Sequence, residues 1–158
     1  MLSVPNAASA AVLLCVIVAG LEGVCAGKNV RAFFKTVRFP GYSAPIWVWS
    51  IIGAMYYAIF GSLAFRFFSA VPPSFLARAT LTLIVAMMVG NALANLVIFR
   101  ARNLHLSYVI GCAFAGLDVL LAVCVLRLDG IAASVMVPYL VYRIYAVWWG
   151  RALARLNP

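Results

Sequence analysis

Two carboxyl groups, Glu22 and Asp118, stand inside apolar runs of this chain, and so does one guanidinium, Arg143. An ionisable group at membrane depth is costly unless it is neutral or paired, so each such residue needs a reason. A carboxyl in that setting can anchor a ligand amine or hydroxyl, or donate a proton as a general acid. The plainer readings are a structural ion pair, which Arg143 can make with either acid, or a neutral acid bonded to backbone. Aromatic residues crowd the same runs: Trp47, Trp49, Tyr56 and Tyr57 in one, Trp148 and Trp149 in another. Their faces offer area to a large flat apolar ligand, and their N–H and O–H groups offer hydrogen bonds. Trp47 and Trp148 lie near the ends of their runs, where an interfacial aromatic belt would also put them. Asn91 can anchor a ligand or join two helices. Metal chemistry has little to work with. Cys15, Cys25, Cys112 and Cys124 form no C-x-x-C pair, and His105 is the only histidine.

Helices in lipid must position these groups. Hydrophobic residues make up 67% of the 158 positions and charged residues 9%, and mean hydropathy is +1.10. A soluble domain of this length cannot bury that much apolar surface. A spanning helix needs about 20 mainly apolar residues. The chain therefore reads as an all-α membrane protein, a single five-transmembrane-helix bundle with spans at about 8–27, 45–68, 74–99, 106–126 and 131–153. Gly23 and Gly27 form a G-x-x-x-G spacing that allows close helix contact. Pro40 and Pro45 punctuate the first loop, and a helix is expected to begin at Pro45. No basic residue precedes the first span, which argues against a cleaved signal peptide.

The net charge of +9 does not point to nucleic acid, because no nucleic-acid module is present. Most of the basic residues sit between the apolar runs, where they set topology and meet anionic headgroups of membrane lipids. Lys28, Arg31, Lys35 and Arg38 fall in the first loop, Arg100 and Arg102 in the third, and Arg151 and Arg155 at the C-terminal end. Arg66, Arg78 and Arg127 fall on the other side. This pattern predicts an N-terminus outside and a C-terminus in the cytoplasm, with a bacterial inner membrane as the expected residence.

The run Phe33–Gly61 resembles the first loop and second helix of the TspO/MBR family, the tryptophan-rich sensory or translocator proteins. That family carries W-Y-x-x-L-x-K-P-x-W-x-P-P-x-W-V-F, then W, L-Y and M-G. Phe33 and Phe34 take the W-Y positions, Val37 the leucine, Pro40 the first proline and Tyr42 a tryptophan. Ala44-Pro45 stands for Pro-Pro, Trp47-Val48-Trp49 for W-V-F, Tyr57 for the tyrosine and Gly61 for the glycine. Asn91, Phe99 and Arg102 match the third helix, and Val137-Pro138-Tyr139-Leu140 matches V-P-Y-L in the fifth. Departures are many. The lysine before the loop proline is Phe39, two helix tryptophans are Gly53 and Ala94, and the fifth-helix asparagine is Gly150.

The resemblance implies a pocket inside the bundle, capped by the first loop, that takes a porphyrin or other tetrapyrrole, a sterol or an isoprenoid. It implies no other cofactor, and a homodimer. Onto this sequence it carries, as ligand-binding positions, Gly23 and Ala26 on the first helix, Pro40, Tyr42 and Pro45 in the loop, and Trp47, Trp49, Ile52 and Tyr57 on the second helix. Asn91 and Ala94 follow on the third, and Ala146 and Trp149 on the fifth. Asp118 joins them as a candidate polar anchor. Residues 137–143 also satisfy a loose cholesterol pattern, provided that Arg143 reaches the interface. Two alternatives stand beside this expectation. One is a membrane enzyme acting on an isoprenoid or polyene, with Asp118 or Glu22 as acid. The other is a structural subunit of a larger membrane complex.

Overall fold

Each apolar run becomes a helix long enough to cross a bilayer. The computed structural model describes residues 1–158, the side chain of Asn29 excepted. Helix α1 is Val4–Ala26, a 3-10 turn follows at Gly27–Asn29, and a short α2 occupies Val30–Thr36. Helix α3 is Ile46–Ser69, α4 is Phe75–Asn95 with a π-helical turn at Leu96–Arg100, α5 is Leu104–Leu128 and α6 is Gly130–Leu156. The five long helices carry the hydropathy of membrane spans, and the protein is an integral, multi-pass one.

Three helix starts, those of α4, α5 and α6, are set by polar side chains that satisfy otherwise orphaned N–H groups. Ser74 Oγ accepts from Ala77 N at 3.0 Å, and Asn103 Oδ1 accepts from Leu106 N at 2.9 Å. Asp129 Oδ1 accepts from Ile131 N at 3.0 Å and Ala132 N at 3.1 Å, while its Oδ2 lies 2.5 Å from Arg66 Nε. Helix α3 starts at Ile46, one residue later than expected, with extended Pro45 as its cap.

Helix α1 packs on α3, α3 on α6, α6 on α5, α5 on α4, and α4 back on α1. The ring is solid in one half. Phe60, Leu63, Ile84, Met88, Leu121 and Met136 are buried there in one core. Glycine permits two tight approaches: a Cβ at Gly61 would meet Cys15 Sγ at 3.0 Å, and one at Gly90 would meet Phe114 Cζ at 2.9 Å.

The expected close contact at Gly23 and Gly27 is absent. A Cβ at Gly23 meets nothing within 4 Å. Gly27 instead ends α1 in a left-handed conformation, φ 62°, which favours glycine. The carbonyls freed there are taken by Arg100, whose Nε donates to Cys25 O at 2.9 Å and whose Nη2 donates to Val24 O.

Candidate functional site

The other half of the bundle, at the first-loop end, is hollow. A cavity of about 690 Å³ is walled by all five long helices and by α2. It falls inside the usual range for small-molecule sites, about 300–1,000 Å³. Helical spacing decides which residues face it. Trp49, Ile52, Gly53 and Tyr56 line it from α3, at spacings of three, four and seven that share one face. Glu22, Gly23 and Ala26 line it from α1, and Asn91, Ala94 and Asn95 from α4. Ser107, Tyr108, Gly111 and Phe114 do so from α5, and Tyr139, Tyr142, Arg143, Ala146, Trp149 and Gly150 from α6.

The first loop and α2 form the lid. Phe33 is 1% exposed and packs with Leu104 and Leu153 in a small second core that closes the loop end. Phe34 stacks on Phe39 at 5.5 Å, Phe39 on Trp149 at 6.2 Å, and Trp149 meets Trp49 at 4.6 Å. The aromatic at position 39, where the resembling family has lysine, thus continues a row that ends in the cavity wall. Polar bonds fasten the lid to α6. Trp149 Nε1 donates to Ser43 Oγ at 2.9 Å, and Ala44 N donates to the Tyr145 hydroxyl at 3.3 Å. Asn157 grips the backbone of Arg38 from both sides, accepting from its N–H and donating to its carbonyl, each at 2.9 Å.

The polar groups sit deepest. Tyr57 donates its hydroxyl proton to Glu22 Oε2 at 2.5 Å. Arg143 Nε lies 2.5 Å from Asp118 Oδ2, and Arg143 Nη2 donates to the Tyr139 hydroxyl. Neither Asp118 oxygen has an aligned hydrogen bond, so this pair is held by charge. The Tyr56 hydroxyl is also buried without a partner.

Of the residues expected at the site, Gly23, Ala26, Trp49, Ile52, Tyr57, Asn91, Ala94, Ala146 and Trp149 lie on the wall. Pro40, Tyr42, Pro45, Trp47 and Asp118 do not. Pro40 is buried within the lid, and Pro45 caps α3. Tyr42 lies outside and stacks on Trp148 at 4.1 Å. Trp47 is 65% exposed. It is two residues from Trp49, and at about 100° per residue the two point to nearly opposite sides of α3. Asp118 is one turn below Phe114, fully buried and covered by Arg143. Arg143 is therefore committed inside the bundle and does not reach the interface that the loose cholesterol pattern needs. Sequence reasoning left out Phe114, Tyr108, Asn95 and Gly150 as wall residues. Asn95 and Gly150 had a readable signal, since each follows an expected wall residue of its own helix, Asn91 and Ala146, by four positions.

Among the described residues no cluster of His, Cys, Asp or Glu could hold a metal, and the four cysteines are free thiols. A sequence model of the TspO/MBR family matches residues 11–150, nearly the whole chain. No curated protein matches the chain.

Proposed function

The chain belongs to the TspO/MBR family, and on that premise we propose that it is a receptor- or translocator-like protein. It binds a hydrophobic ligand of the tetrapyrrole, sterol or isoprenoid kind within the bundle. The observation that carries this reading is the cavity of about 690 Å³ under an aromatic lid. Its apolar wall gives a ring system dispersion contacts, and Trp49 and Trp149 stand where they can stack on it. Asn91 and Asn95 can orient the ligand's polar edge. Because Gly53 and Ala94 replace two family tryptophans, the cavity takes a bulkier or differently shaped ligand than a tryptophan-filled one would.

The basic loop lies at the lidded end, so we place the lid and the C-terminus on the cytoplasmic face of a bacterial inner membrane. A homodimer through the lipid-facing helix surfaces belongs to the same reading. The test is tryptophan fluorescence of the purified protein, titrated with protoporphyrin, heme, a sterol and a carotenoid. A ligand in the cavity quenches saturably, and Trp49→Ala weakens its binding. Linear quenching that ignores Trp49→Ala for every compound would be partition into detergent and would sink the proposal.

A further inference from the structure

Of the two acids inside the spans, one is neutralised by the protein and one is not. Asp118 has Arg143. The ion pairs among the described residues are that one and Arg66–Asp129, and Glu22 takes part in neither. Glu22 faces the cavity, and its bond from Tyr57 uses Oε2, which leaves Oε1 open to a ligand. Beside it, Tyr56 is only 7% exposed, its hydroxyl is unpartnered, and its ring meets Tyr57 edge-on at 5.2 Å. The cavity thus presents an uncompensated acid among aromatic faces.

We propose that the cavity selects a ring-bearing apolar ligand that carries one ammonium group, with the ammonium docked on the Glu22 carboxyl. This rests on the cavity being the binding site. An ammonium supplies the positive charge and the donors that the Glu22 carboxyl lacks, and the tyrosine faces attract a cation further. A neutral ligand leaves the Glu22 carboxyl without a counter-charge. A carboxylate ligand adds a second negative charge, and Arg143 is already held by Asp118 and Tyr139. Selectivity therefore comes from the unpaired group as much as from the attractive contact. One ammonium is enough, because only one acid is uncompensated.

Three probes of one shape test this: 1-aminomethylpyrene, 1-pyrenemethanol and 1-pyrenecarboxylate. Each is titrated into the full chain in uncharged lipid nanodiscs, and energy transfer from tryptophan is read. The amine binds tighter than the alcohol by about tenfold or more, and the carboxylate is weakest. Glu22→Gln brings the amine down to the alcohol. Tyr57→Phe, which keeps the carboxyl, keeps the preference, so loss of fold and loss of charge are told apart. Equal saturable binding of amine and alcohol overturns the inference and leaves the cavity reading standing. So does a preference for the carboxylate, or an amine preference that survives Glu22→Gln. No saturable transfer from any probe, with no effect of Trp49→Ala, overturns both.

Discussion

Deleting the negative member of the Asp118–Arg143 pair would strand a guanidinium in the bundle wall. Breaking such a pair costs about 3–5 kcal/mol, because the remaining charge stays buried and unpaired. Asp118→Asn should therefore lower the unfolding midpoint in detergent steeply. Replacing both partners with apolar residues, as in Asp118→Leu with Arg143→Met, should restore much of the loss. If the single variant unfolds like the parent, the pair is not holding the wall. Sequence alone narrowed this chemistry to three ionisable groups without saying how they combine. Arg143 can reach either acid on paper, and only the packing of α5 against α6 gives it to Asp118. The choice left Glu22 as the acid that faces the cavity.

At the level of elements, α6 depends on both of its ends. Its N-terminus is capped by Asp129, which also binds Arg66. Burial pushes the Asp129 carboxyl up, but the hydrogen bond from Arg66 and the backbone N–H groups of Ala132 and Ile131 outweigh it and hold the carboxyl below its ordinary value. A depressed folded-state pKa stabilises above the unfolded value, about 3.9, and the stabilisation is lost as pH falls through the folded value. Asp129→Ala should cost about 1–2 kcal/mol near neutral pH. The gap in melting temperature between parent and variant should close as the pH is taken below about 4. A gap that stays constant with pH would mean that the charge contributes nothing. At the other end, Asn157 holds Arg38 through two backbone bonds. Asn157→Ala should speed trypsin cleavage after Arg38 with little change in melting temperature, and an unchanged cleavage rate would mean that the lid is fastened elsewhere. Helix number and order were legible, because a run of apolar residues in lipid has one regular solution. Helix rotation was much less so. The lipid side and the protein side of each helix are both apolar, so no polar stripe marks the inside. Trp47 and Trp49 look equivalent in the sequence, yet Trp47 faces outward and Trp49 faces the cavity.

For the whole molecule, the ring of helices is packed in one half and hollow in the other, and the departures from the family pattern gather in the hollow half. Gly53 and Ala94 line the wall where tryptophans are expected, and a Cβ at Gly53 meets nothing within 4 Å. Extra tryptophan stands instead at Trp149, stacked toward the lid. The family and its five-helix bundle could be read from ordered motifs. The volume of the cavity could not, because it depends on how α4 and α6 turn their small residues. We propose that a hydrophobic ligand occupies this volume. The most direct measurement takes whichever of protoporphyrin, heme, sterol or carotenoid quenches tryptophan saturably and titrates it into Gly53→Phe combined with Ala94→Phe. Two phenyl rings then fill the space without touching the solid half. The melting temperature should stay unchanged and the affinity should weaken by about tenfold or more, as expected when ring-sized groups occupy a pocket. Parent-like affinity in the filled variant would contradict the proposal and place the ligand on the outside of the bundle.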